Sequence, residues 1–190
     1  MRNCQSIELL FGHLPAGDDV PAELNAIIRV PGQSSPVSYE CDPRYNLLRV
    51  RCIMGSGPRF WQNYAFVPST RAQDGDPLDI VVLAPFPLER LSVVACRPVG
   101  MLSVMHHAAT EGKIVAMVSD KVCASSAPVQ RLEDLGDYAL IQMKAFFENY
   151  CGVGQAEAVR CAEWGDLDAA QRVILGAVRS FEDSASCVRR

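Results

Sequence analysis

Three aspartates crowd into one short run, Asp74-Gly75-Asp76-Pro77-Leu78-Asp79. Pro77 blocks helix continuation and biases Asp76 toward extended backbone. In extended chain, positions 74 and 76 face the same side. Two carboxylates ~4 Å apart repel by roughly 4 kcal/mol at an effective dielectric near ~20, so such a cluster persists where a cation or a proton relieves it. All-oxygen donors suit Mg²⁺, Mn²⁺ or Ca²⁺ rather than zinc, and the spacing is not that of an EF-hand loop. The competing reading of the triplet alone is a solvated acidic turn between strands. Further along, His106 and His107 precede Glu111 and Lys113. A His-His pair can recruit a softer metal or simply sit in a surface loop. His13 has no such company.

The elements that must position these groups are mostly strands, then helices. Ala26–Val30 stops at Pro31, and Val37–Cys41 alternates apolar and polar residues, the period of a half-buried strand. Leu47–Ile53 is bounded by Pro43 before and Gly55-Ser56-Gly57-Pro58 after. Ile80–Leu83 is a short apolar run, and Leu91–Val99 and Ile114–Val118 complete the set of expected strands. Asp137 opens a helix expected to reach Tyr150, with Tyr138, Ile141, Ala145 and Phe146 at helical spacing, and Gly152 and Gly154 end it. A second helix is expected over Leu167–Phe181, where Leu167, Ala170, Ile174, Ala177, Val178 and Phe181 form one apolar stripe. The residues from Asp183 onward are expected to fray. Strands first and helices last indicates an α+β fold. A small closed barrel with helices on its outside fits that order.

With 190 residues, 49% of them hydrophobic and 21% charged, the chain is expected to form one domain with a sizeable core. The net charge of −4 and a pI near 5.4 argue against a nucleic-acid binder built on a broad basic face. No stretch approaches the ~18 apolar residues of a membrane span, and Glu8 and His13 interrupt the only apolar run near the N-terminus, so no leader is expected. The eight cysteines are scattered without a C-x-x-C pair. Cys52 and Cys96 sit inside apolar runs, where a free thiol acts as a small hydrophobe. The expectation is free thiols and a cytoplasmic location.

The residues around the triplet carry a resemblance. The run Asp74 to Ile80 matches, in full, the signature Asp, small residue, Asp, Pro, apolar, Asp, apolar of the soluble (family I) inorganic pyrophosphatases. Leu14-Pro15-Ala16-Gly17 opens the similarity, and Asn63-Tyr64-Ala65-Phe66 is similar to the family's Asn-Tyr-Gly-Tyr. Pro85-Phe86-Pro87-Leu88, Cys96-Arg97-Pro98-Val99-Gly100, Phe146-Phe147-Glu148-Asn149-Tyr150 and Glu163-Trp164 look like later landmarks, in order. The resemblance spans about Leu14 to Phe181 and implies a five-stranded, OB-like closed β-barrel with flanking C-terminal helices. It also implies Mg²⁺-dependent hydrolysis of pyrophosphate to two phosphates, with Mn²⁺ or another divalent metal as an alternative, and a homo-oligomer, by its short bacterial type a hexamer.

Residue by residue, the resemblance makes Asp74 and Asp79 ligands of the metals that generate the nucleophile, and Asp76 the group that orients or deprotonates the attacking water. Glu111 aligns with a third metal ligand, usually Asp, and Lys113 with a lysine that stabilises negative charge. Arg51, allowing one inserted residue before Phe60, aligns with a phosphate-gripping arginine. Tyr64 and Tyr150 align with phosphate-binding tyrosines, and Glu40 with a further acidic site residue. Five positions depart. Arg29 stands in place of a metal-coordinating Glu, Ser38 of a Lys, Phe60 of a Tyr, His106 of a metal-binding Asp, and Cys151 of a Lys beside Tyr150. Summed, these make the site more positive by about one unit, and a guanidinium in a ligand's place can itself bind phosphate. Three functions are therefore open at this point: a divergent pyrophosphatase, a non-catalytic relative that binds a phosphorylated ligand or partner, and a hydrolase of another phosphoanhydride or phosphoester.

Overall fold

The computed structural model describes residue 11 and residues 13–34, 37–42, 47–53, 61–106, 109–149 and 160–188. Within them the strands are β1 (Leu24–Val30), β2 (Val37–Asp42), β3 (Leu47–Ile53), β4 (Asn63–Phe66), β5 (Asp79–Leu83), β6 (Val93–His106), β7 (Ala109–Val118) and β8 (Arg160–Gly165). The helices are α1 (Asp137–Asn149) and α2 (Leu167–Val188), with two 3-10 turns at Ala124–Ser126 and Leu132–Leu135.

The strands pair in the order β1-β4-β5-β7-β6-β8, and β1 also pairs with β6. That extra pairing closes β1, β4, β5, β7 and β6 into the expected five-stranded ring, with β8 added outside on β6. Closure removes the exposed edges that an open sheet would carry. Of these pairings only β5–β7 is parallel. β2 and β3 form a separate two-stranded sheet.

Alternation along each strand divides the apolar side chains between two faces. Leu24, Ala26, Ile28, Ala65, Ile80, Val82, Cys96, Ile114 and Ala116 form one cluster, joined by Ala170, Ile174 and Ala177 of α2. The opposite face carries Val81, Leu83, Leu102, Val104 and Val115, packed on Met143, Phe146 and Phe147 of α1. Cys96 is fully buried in the first cluster, where burial raises its thiol pKa and keeps it protonated. Cys96 and Cys123 are free thiols among the described residues.

Several expectations need correction. The stripe on α1 is rotated: Tyr138 and Ile141 are 74% and 65% exposed and Ala145 is exposed. Phe146 is buried as expected, and Met143 and Phe147 go inward with it in place of Tyr138, Ile141 and Ala145, which sets a second aromatic ring and a methionine against the sheet. On α2 the expected stripe holds at its centre, with Ala170, Ile174 and Ala177 buried. Asp166 accepts the Ala169 amide at 2.8 Å and so caps its start. The helix does not stop at Phe181, and the residues from Asp183 do not fray as expected but continue it to Val188. β6 runs well past Val99, because the irregularity between Pro98 and Gly100 absorbs the missing proline N–H as a bulge without ending the strand. β4 and β8 were not expected as strands.

Candidate metal and phosphate site

The aspartate run forms the far end of a loop whose neck is tied by hydrogen bonds. The Val67 amide donates to the Leu78 carbonyl at 2.9 Å. The Thr70 hydroxyl donates to the Val67 carbonyl at 2.6 Å and accepts the Leu78 amide at 3.0 Å. The Arg71 amide donates to the Ala177 carbonyl of α2 at 2.9 Å. At the tip, Gly75 has φ +89°, a conformation L-residues adopt at a cost. The segment is therefore a tight turn and not the extended chain expected from Pro77. Asp74 does not share a face with Asp76 through strand alternation. Its Oδ1 accepts the Asp76 amide at 3.0 Å, a short side chain stabilising its own turn.

Asp79 opens β5 and is the hub of the site. The parallel register pairs Ile80 with Ile114, which brings Asp79 alongside Lys113. The antiparallel register on the other side pairs Asp79 with Phe66, and Phe66 with Ile27. Lys113 Nζ donates to Asp79 Oδ2 and to Glu111 Oε2, both at 2.7 Å. Glu111 and Lys113 are two apart on β7, so they share a face. Arg29 Nη1 donates to Asp79 Oδ1 at 3.2 Å. The result is an alternating chain of charge, Arg29–Asp79–Lys113–Glu111.

The backbone explains how Arg29 arrives there. The β1–β4 register runs Ile27 to Phe66, Ile28 to Ala65, then Val30 to Tyr64, so Arg29 is the extra residue of a bulge. Bulges re-aim a side chain. Here the guanidinium lies over the Phe66 ring, 5.1 Å from its centroid, within cation–π range. Arg90 donates to the Arg29 carbonyl, and its own guanidinium stacks on Tyr39, 4.4 Å from the ring centroid.

The charges shape one another. Burial alone would raise the Asp79 carboxyl, but Lys113 and Arg29 outweigh it and hold it below the usual carboxylate range. Burial alone would lower the Lys113 ammonium, and its anionic neighbours push it well above the usual range instead. Tyr64 is raised, first by burial and then by the Asp79 charge. It stays a neutral phenol, packed near Phe147 with ring centroids 6.3 Å apart.

Arg29, Tyr64, Asp79, Glu111 and Lys113 are thus brought together, with Asp74 and Asp76 on the loop that leads into Asp79. Ser38, Glu40, Arg51 and His106 lie on β2, β3 and β6, but their side chains fall outside the described residues, as do Phe60, His107, Tyr150 and Cys151. Asn63 is a positioning residue that the sequence offered only as part of a motif. It is 1% exposed. Its Oδ1 accepts the Gly32 amide at 3.0 Å and the Leu88 amide at 2.8 Å, and its Nδ2 donates to the Val82 and Phe86 carbonyls at 3.4 Å. One amide side chain ties the loop after β1 to the loop after β5.

The model of the inorganic pyrophosphatase family matches residues 26–182. The chain belongs to the inorganic pyrophosphatase family. It is 38% identical to the inorganic pyrophosphatase of Ralstonia nicotianae over 172 residues, 90% of this chain and 98% of that one. It is 36% identical to the Pseudomonas aeruginosa inorganic pyrophosphatase over the same shares. The solved inorganic pyrophosphatase of Coxiella burnetii superposes with a TM-score of 0.81 at 32% identity, covering 88% of this chain and 99% of that one. The Thermus thermophilus enzyme gives 0.82 at 28% identity, covering 90% and 98%.

Membership in the inorganic pyrophosphatases implies a divalent metal cofactor, and the donor chemistry here fits one: Asp74, Asp79 and Glu111 offer only hard carboxylate oxygens. Among the described residues, however, no three carboxylate, imidazole or thiol groups converge on one point. Protein cations hold both Asp79 oxygens.

Proposed function

We propose that this chain is a cytoplasmic, Mg²⁺-dependent enzyme that hydrolyses inorganic pyrophosphate to two phosphates, working as a homo-oligomer, by resemblance a hexamer. The observation that carries the reading is the intact run Asp74-Gly75-Asp76-Pro77-Leu78-Asp79, in a chain of this family, leading directly into the Asp79–Lys113–Glu111 cluster.

Asp74, Asp79 and Glu111 would hold the metal, which when bound acidifies water and neutralises charge on phosphate oxygens. Asp76 takes the proton of the attacking water. The new bond forms between the water oxygen and one phosphorus, the bridging P–O bond breaks, and the second phosphate leaves with the bridging oxygen. Lys113 faces the developing negative charge, and its raised pKa keeps it cationic across the working pH range. Tyr64, kept neutral, donates a hydrogen bond to a phosphate oxygen. Arg51 and Tyr150 grip phosphate, and Glu40 is a further acidic residue of the substrate site.

The test is a substrate panel on the purified chain with Mg²⁺: pyrophosphate, a nucleoside triphosphate and a phosphomonoester. Release from pyrophosphate in large excess over the others is expected. Release only from an organic phosphate would redirect the assignment to that ester or anhydride. No release at all, with a ligand-induced rise in melting temperature, would make the chain a binding protein.

A further inference from the structure

We propose that Arg29 is a built-in competitor for the divalent cation at Asp79, and so sets how tightly this site holds metal. The inference rests on the reading of Asp79 as a metal ligand. Asp79 presents two oxygens. Lys113 lies on Oδ2 at 2.7 Å and Arg29 on Oδ1 at 3.2 Å. Lys113 also holds Glu111 at 2.7 Å, so it can give up Asp79 Oδ2 and stay paired. The guanidinium of Arg29 is placed by the fold itself: the β1 bulge aims it, the Phe66 ring lies under it, and Arg90 fixes its carbonyl. Its side chain is only 21% exposed, so solvent screens the pair incompletely. A guanidinium does not deprotonate in proteins, so its charge persists at any working pH.

A metal ion reaching Asp79 Oδ1 must therefore displace Arg29 or sit beside it as a like charge. An adjacent cation changes a carboxylate's affinity for a proton by roughly 10- to 1000-fold, and a metal cation feels the same field. Removing the Arg29 charge should tighten metal binding by about tenfold or more on that basis.

The experiment is Mn²⁺ binding to the full chain, by calorimetry and by the paramagnetic resonance signal of free Mn²⁺, for the parent, Arg29→Gln and Arg29→Lys. Arg97→Gln serves as control, since Arg97 pairs with Asp120 and the Val129 and Ser126 carbonyls, away from the site residues. Tighter binding in Arg29→Gln, with Arg29→Lys and Arg97→Gln close to the parent, is expected. Mn²⁺ should also raise the melting temperature more in Arg29→Gln than in the parent. If Arg29→Gln does not fold, Arg29→Met keeps an apolar stem over Phe66 and gives the same readout. An unchanged dissociation constant in the neutral variant overturns the inference, as does the absence of Mn²⁺ binding in every protein. Phosphate release from pyrophosphate by the same preparations tests the functional reading separately. Metal gained without release would sink the function and leave the competition standing, while release with unchanged affinity would do the reverse.

Discussion

A carboxylate as enclosed as Asp79 is tolerated because it is paired twice, and that pairing has measurable consequences. Removing one member of a buried ion pair costs about 3–5 kcal/mol, since the other charge is stranded. Lys113 and Asp79 are 11% and 19% exposed, and Lys113→Met leaves Asp79 with Arg29 while taking the Lys113 partner from Glu111, so it should destabilise the fold by about 3 kcal/mol, read as a shift in urea midpoint. A loss under ~1 kcal/mol would mean the pair is solvated as a surface bridge is. The pH dependence has a definite sign. Asp79 is depressed in the folded chain by Lys113 and Arg29, so its contribution is fully present above the unfolded carboxyl value near ~3.9 and fades as pH falls through the lower native value. Thermal stability should drop below about pH 4, and Asp79→Asn should flatten that slope. A parent melting temperature that does not fall there would contradict the pairing. The residue types of this cluster were legible in the sequence. The pairings were not, because 34 residues separate Lys113 from Asp79 and 50 separate Arg29 from it, and only strand register brings them together.

Register and turn geometry act at the level of elements. The Gly75 turn and the Asn63 tie support opposite ends of the β4–β5 pair, and they should fail differently. A Cβ at Gly75 would meet no atom within 4 Å, while φ is +89°. Gly75→Ala should therefore cost only the left-handed backbone penalty, about 1–2 kcal/mol, and lower activity by moving Asp74 and Asp76. Asn63→Ala strands the Gly32 and Leu88 amides, and each unpaired buried donor costs about 1–3 kcal/mol. Denaturant unfolding should therefore show Asn63→Ala as the more harmful change. Equal or reversed losses would argue that water takes over the Asn63 contacts. β1, β2 and β3 were legible from alternation and from proline and glycine punctuation, and β5 from its short apolar run. β4, at four residues, is too short to show a period. β8 lies beyond a helix, where strand order gave no reason to expect it. The face of α1 was misread because Tyr138 and Ile141 match helical spacing as well as Met143 and Phe147 do, and only the sheet opposite decides between them.

For the molecule as a whole, the order of strands then helices was enough to reach the α+β class, and the five-stranded closed barrel came from the family resemblance. The closing β1–β6 pairing and the parallel β5–β7 contact are long-range facts that no local pattern encodes. Among the described residues no helix is long and apolar enough to cross a membrane. The inorganic pyrophosphatase family match over residues 26–182 includes the aspartate run, β4 to β8, α1 and most of α2. Assembly belongs to this scale as well: sedimentation analysis of the purified chain should give a species near six times the chain mass, and a monomer at micromolar concentration would remove the hexamer from the proposal. Asp76 in this loop is proposed to drive metal-dependent cleavage of pyrophosphate. The most direct test is phosphate release from pyrophosphate by the purified chain, titrated with Mg²⁺ and then stripped with a chelator, with Asp76→Asn as the blank. Release should rise with Mg²⁺, vanish with the chelator and fall by about 10²-fold or more in the variant. Release that ignores the metal, or that survives in Asp76→Asn, would contradict that proposal.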